Sequence, residues 1–177
     1  GAERAADRSL PVLAGAVVIA ACGTGLGQTS VAALGLLMYL VGLGLVAPAF
    51  VTAARTKPPT SYPTWSVLAS MVWLVGSLAV LTVAVTTASS WPEVAARLDA
   101  LVAPLAVGFA AQVLLGALTY LVPVVLGGGP AAVRAAITEI ERGGALRITV
   151  ISAGLAACVL PVPSLVRVLC SVLVLAG

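Results

Sequence analysis

The residues of this 177-residue chain that could do chemistry are few, and the densest group lies along one apolar run. Pro104, Gly108, Gln112, Gly116 and Tyr120 recur at every fourth position, so a helix places them along one stripe. Gln112 is the strongly polar member. Its amide can donate and accept hydrogen bonds, but it cannot move a proton or act as a nucleophile without a partner. The usual partner is missing, because the chain has no histidine at all. That excludes histidine-held haem, copper or zinc and every histidine-dependent acid–base or nucleophilic mechanism. Cys22, Cys158 and Cys170 stand singly in apolar runs without CxxC spacing, and read as small apolar fillers. Glu93, Asp99, Glu139 and Glu141 read as solvated loop carboxylates, giving no proton-relay pair.

Two readings of the stripe follow. Small residues let helix backbones approach within lipid, and a buried amide bonds across the contact, so Gly108, Gln112 and Gly116 read first as a packing seam, with Tyr120 an interface or packing tyrosine. The other reading lines a cofactor or substrate cavity with the same residues. Arg167 is the one charge in the last apolar run. It can snorkel to the headgroups, or pair with a quinone or a haem carboxylate from another subunit.

The elements that would position these residues are transmembrane helices. Hydrophobic residues make up 61% of the chain and charged residues 8%, against the roughly 25% charged of soluble domains. The fold class expected is all-α, a polytopic transmembrane bundle, with room for about five or six crossings at roughly 20 apolar residues each. The runs divide at charges and Pro/Gly clusters into helices about 10–26, 31–53, 64–87 and 101–126. Residues 146–176 could form one kinked helix, but two prolines two apart oppose it, and a turn at PVPS between helices about 146–160 and 164–176 is expected. The whole is read as a single transmembrane domain, 1–177. A first residue other than Met, and apolar sequence to the last residues, lead us to expect a fragment of a longer protein.

Between the fourth and fifth runs, GGGP and Gly143–Gly144 bracket a segment about 130–142 with Val133, Ile137 and Ile140 on one face. Arg134, Thr138, Glu141 and Arg142 make the remainder polar, as in a short amphipathic interfacial helix, or, more sharply, one that docks a partner. Arg4, Arg8, Arg55, Lys57, Arg134, Arg142 and Arg147 fall on one side if each run crosses once, against Arg97 and Arg167 on the other. The positive-inside rule then places the N-terminus, the 54–63 loop and the 127–146 loop in the cytoplasm. The scattered net charge of +3 makes nucleic acid an unexpected partner. Eight Arg to one Lys, in a background of Ala, Val, Leu and Gly, fits a GC-rich bacterial genome.

Two motifs read as coincidence. Ile19-Ala20-Ala21-Cys22 matches a lipoprotein processing pattern, but Glu3 and Asp7 enter its charged region and several spanning runs follow. GTGLG at 23–27 follows an apolar helix rather than a strand and has no lysine after it, so it is no phosphate loop.

The stretch QVLLGALTYLVPVVLGGGPAAVRAA, with GALR and LPVPSLVRVL after it, resembles the membrane-embedded N-terminal part of large actinobacterial multicopper-oxidase-like proteins, which are related to copper nitrite reductases. The resemblance is good over about Thr64 to Leu175 and looser before. It implies a polytopic module preceding cupredoxin domains that hold copper, and hence an anchor or scaffold of a plasma-membrane redox protein. No copper-ligand cluster of His, Cys and Met lies in this chain, so no catalytic or metal residue carries over. The expected function is thus an integral membrane scaffold with no catalytic residues or cofactor of its own, copper being held in a separate domain. Its expected partners are the lipid bilayer, neighbouring helices and a cupredoxin-type extracytoplasmic domain. The alternative is half, or a subunit, of a small transporter or channel with Gln112 and Tyr120 lining a pathway. An independent membrane enzyme is disfavoured by the missing histidines and paired carboxylates.

Overall fold

The computed structural model describes residues 2–56, 61–126, 135, 137–139, 142–160 and 163–176, with 2–8, 120, 123, 124, 126, 167, 175 and 176 described by backbone alone. Among the described residues the chain is helical apart from short turns and has no strand. The helices are α1 (Ala2–Gly25), α2 (Thr29–Thr56), α3 (Tyr62–Thr87), α4 (Trp91–Ala103), a π-helical segment (Pro104–Ala111), α5 (Gln112–Leu126), α6 (Gly144–Val159) and α7 (Ser164–Ala176). Three are long and apolar enough to cross a membrane: Thr29–Thr56, Tyr62–Thr87 and Trp91–Thr119 within the fourth run. Ser9–Gly25, Gly144–Val159 and Ser164–Val174 are shorter apolar helices.

The ends of these helices have local causes. After α1 the chain reverses at Gly27, whose φ of 69° is a left-handed conformation favouring glycine. The Gln28 amide donates to the Gly23 carbonyl at 2.8 Å and the Gly27 amide to the Thr24 carbonyl at 3.1 Å. This is the Schellman arrangement, which satisfies carbonyls that the helix end would leave open. GTGLG is therefore a helix stop. Cys22 lies exposed on the last turns of α1, on helical backbone.

The fourth run begins ten residues earlier than the apolar pattern predicts, and this corrects the placing of Glu93 and Asp99 in a loop: both lie on α4. Charges at Glu93, Arg97 and Asp99 mask an amphipathic helix whose inner side is Val94 and Leu101, both buried. Its start is held by Glu93, whose Oε2 accepts from the Ser89 amide at 3.0 Å and the Ser89 hydroxyl at 3.1 Å. Acceptor side chains in a first turn satisfy donors that have no intrahelical partner.

At the other end, Gly143 has φ 75° and α6 begins at Gly144, two residues before the expected start. Leu160 is extended (φ −73°, ψ 155°), as the residue before a proline prefers. The run 146–176 is thereby broken into α6 and α7. Of the expected interfacial helix, Ala135, Ile137, Thr138 and Glu139 are helical and Arg142 lies in the turn before α6. Pro130, Val133, Arg134, Ile140 and Glu141 lie outside the described residues.

Contacts divide the chain into two compact units, Gly1–Pro58 with Val75–Leu101, and Pro59–Leu74 with Val102–Gly177. In the first, α1 and α2 pack antiparallel. Gly35 faces Ala16 and Ala20, and Gly42 faces Leu13, so the backbones approach closely. Ala32, Ala33, Val85 and Val94 form its core, flanked by Leu36, Leu81, Ala88 and Trp91. Arg97 joins Glu93 at 2.5 Å and donates to the Thr87 hydroxyl at 2.6 Å, tying the start of α4 to the end of α3. The second unit holds the first half of α3, the π-segment, α5, α6 and α7.

Candidate functional site: a buried amide beside a π-helical segment

Pro104 has no amide hydrogen, so the carbonyl four residues back loses its α-helical donor and the ring crowds the preceding turn. From Pro104 to Ala111 the helix runs with π geometry, and the Gln112 amide then donates to the Phe109 carbonyl. Such i→i+5 sections are rare and concentrate at functional sites. Gln112 is the first residue of α5, immediately after it.

The stripe read from the sequence is buried at four of its five positions: Pro104, Gly108, Gln112 and Gly116. Inward burial then continues at Thr119, whose hydroxyl turns back to the Leu115 carbonyl at 2.7 Å. Only the backbone of Tyr120 is described, on α5. Around Gln112, which is 2% exposed, three elements of the second unit meet. Ser66 of α3 donates its hydroxyl to the Gln112 main-chain carbonyl at 2.6 Å. Gln112 Nε2 donates to Ser152 Oγ of α6 at 3.3 Å. One turn before, Gly108 lies under the indole of Trp73: a Cβ there would stand 2.5 Å from Trp73 Cγ and 3.0 Å from Leu155 Cδ2. One turn after, a Cβ on Gly116 would stand 3.3 Å from Ser66 Cβ and 3.4 Å from the Pro63 carbonyl.

Sequence reasoning found Gln112 but missed Ser66, Ser70 and Ser152. A signal existed for the first two. Ser66, Ser70 and Ser77 recur at intervals of four and seven along an otherwise apolar α3, and all three are buried. Ser70 donates to the Val67 carbonyl at 2.7 Å.

Chemically, the cluster is one of neutral groups. The Ser66 hydroxyl faces a carbonyl rather than a base, so nothing raises its nucleophilicity. Gln112 Oε1 is buried without a protein partner, as are Ser77 Oγ and Trp91 Nε1 in the first unit. Among the described residues, no three of His, Cys, Asp and Glu gather as metal ligands would.

Arg142 is exposed and pairs with Glu139 at 3.1 Å. Arg147 is exposed in the first turn of α6, its amide donating to the Gly143 carbonyl at 3.0 Å. Arg134 lies outside the described residues, and Arg167 is described by its backbone, in the first turn of α7.

No protein-family model matches this chain, and neither a curated protein nor a solved structure matches it.

Proposed function

We propose that this chain is a multi-pass membrane scaffold whose buried polar groups join helices to one another. The observation that carries this reading is the use of Gln112: its carbonyl takes the Ser66 hydroxyl and its amide nitrogen serves Ser152. Three helices are thereby bonded across a seam of small residues, as small and polar side chains do within lipid. Large apolar residues meanwhile face outward, among them Leu34, Leu37, Val41, Leu45 and Phe50 on α2. An exposed apolar surface of that extent suits acyl chains, not water.

In this reading the chain crosses a bacterial plasma membrane five or six times, if the shorter apolar helices Ser9–Gly25, Gly144–Val159 and Ser164–Val174 also span. The N-terminus is cytoplasmic, on the basis of the arginine distribution. The resemblance of the stretch from about Thr64 to Leu175 to a multicopper-oxidase-like membrane module supports a role anchoring a copper-holding extracytoplasmic domain, and supplies no reaction to the helices themselves. The test uses the full-length protein purified from membranes. Copper and oxidase activity should co-purify, and removal of residues 1–177 should release both from the membrane. A full-length protein without copper would overturn the oxidase assignment.

A second reading, half or a subunit of a small transporter or channel, is favoured by one observation, the buried and unpartnered Gln112 Oε1. Such an acceptor could serve a passing solute. Solute flux in proteoliposomes that Gln112→Leu abolishes without loss of folding would replace the scaffold reading with this one.

A further inference from the structure

We propose that Cys158 and Cys170 form a dithiol that a disulfide-bearing oxidant closes into an intramolecular disulfide bond across the α6–α7 hairpin. Twelve residues apart and without CxxC spacing, the two look unrelated in the sequence. Beyond Leu160 the chain reverses so that α7 packs back along α6, and the hairpin register brings them to one level. Gly154 of α6 faces α7 so closely that a Cβ on it would stand 2.8 Å from Val174 Cγ2 and 3.3 Å from the Cys170 carbonyl oxygen. In an antiparallel pair, one turn toward the connection on one helix matches one turn toward it on the other. That step leads from Gly154 to Cys158 on α6 and from Val174 to Cys170 on α7.

Two further observations agree. Cys158 Sγ lies 3.6 Å from the hydroxyl of Ser171, the neighbour of Cys170. Among the described side chains of α7, Cys170 and Val174 are the half-buried ones, whereas Ser164, Leu165, Val166, Val168, Leu169, Ser171, Val172 and Leu173 are exposed, so the face toward α6 is the one that carries Cys170. Glycine at 154 permits the close backbone approach that a disulfide geometry requires. Both cysteines are thiols in this structure.

The exchange needs no metal. The thiolate of one cysteine attacks a sulfur of the oxidant's disulfide and displaces one thiolate from it. The second cysteine's thiolate then attacks the mixed disulfide and displaces the other. The two protons given up by the cysteines finish on the displaced thiolates, so the dithiol is oxidised by two electrons and the oxidant is reduced to two thiols. The closed pair would pin α7, whose exposed side chains include Leu165, Val168, Leu169, Val172 and Leu173, onto α6. Nothing in this depends on the scaffold reading or on the copper assignment.

The experiment treats the purified chain in detergent micelles with oxidised glutathione, blocks remaining thiols with N-ethylmaleimide, and maps the peptides by mass. Peptides bearing Cys158 and Cys170 should appear joined and lighter by two hydrogens. Cys22, exposed on α1, should carry maleimide or glutathione as the internal control. In C158S and in C170S the joined species should vanish, with the remaining cysteine of the pair recovered as a mixed disulfide with glutathione. Separate glutathione adducts at 158 and 170 in the unsubstituted chain would overturn the proposal. So would full maleimide labelling of both at an oxidant level that converts Cys22.

Discussion

Ser66 grips Gln112 by its main chain: the serine hydroxyl donates to the Gln112 carbonyl at 2.6 Å, joining α3 to α5 across 46 residues of sequence. The contact comes where the π-segment has just ended, so the carbonyl is presented at a point where the helix has changed its winding. Because the acceptor is backbone, no substitution at position 112 removes it. The serine is the side chain that decides whether it forms.

Ser66→Ala should therefore destabilise the second unit by about 1 kcal/mol, the net value of an ordinary hydrogen bond. Ser66→Val should cost more, because its added methyls enter the space where a Cβ on Gly116 would already stand 3.3 Å from Ser66 Cβ. Unfolding of the purified chain by SDS in mixed micelles measures both.

Gln112→Leu removes the 3.3 Å bond to Ser152, but it also removes the unpartnered Oε1. The two effects oppose, and the net change should stay within about 1 kcal/mol, comparable to polar contacts between membrane helices. Gln112→Glu should be far worse above the carboxyl's ionisation, since an unpaired charge would then be buried. The same SDS titration, run at two pH values, separates the pair of variants.

Along the stripe the glycines should differ in tolerance. Gly108→Ala drives a Cβ to 2.5 Å from Trp73 Cγ, near the root of a rigid ring, and overpacking of this kind costs about 1–3 kcal/mol. Gly116→Ala meets its nearest atoms at 3.3 Å and should be milder. Gly44→Ala, with open space around its Cβ, should be neutral or slightly stabilising. A shift in tryptophan emission in Gly108→Ala, absent in Gly44→Ala, would locate the strain at Trp73.

Gly27→Ala tests the reversal after α1. At φ 69° an L-residue is strained by about 1–2 kcal/mol whatever the surrounding space. The expected outcome is a lower unfolding midpoint with unchanged helix content by far-ultraviolet circular dichroism. An unchanged midpoint would show that the turn relaxes to another conformation.

Arg97→Ala breaks the pair with Glu93 and the bond to Thr87. Both ion-pair side chains are about two-fifths exposed, so the loss should be small and should shrink as salt is raised. Unfolding midpoints at low and high sodium chloride check this.

The apolar helices were legible because long runs of Leu, Val and Ala interrupted by Pro/Gly clusters leave few alternatives. Gln112 was legible too, as the polar exception on a stripe of small residues. The start of α4 was not, because Glu93, Arg97 and Asp99 lower the local hydrophobicity exactly where Ser89 and Glu93 cap the helix. Nor was the juxtaposition of Cys158 with Cys170, since it depends on how α7 turns back after residue 160 and on the register set by Gly154. Ser152 escaped for the same reason: its partner lies 40 residues away on another helix. Local pattern shows which face is apolar, whereas tertiary register decides which polar groups meet.

The π-segment gives the fourth run a residue to spare. Bonded i→i+5, it turns less per residue than the roughly 100° of an α-helix, so its eight residues sweep about the angle of seven α-helical ones. One residue removed between Pro104 and Ala111 would let the segment rewind as α-helix with Gln112 and Gly116 still turned toward Ser66, whereas one removed between Gln112 and Gly116 would turn Gly116 away by about 100°. The eight residues can be miscounted by one; the helix after them cannot.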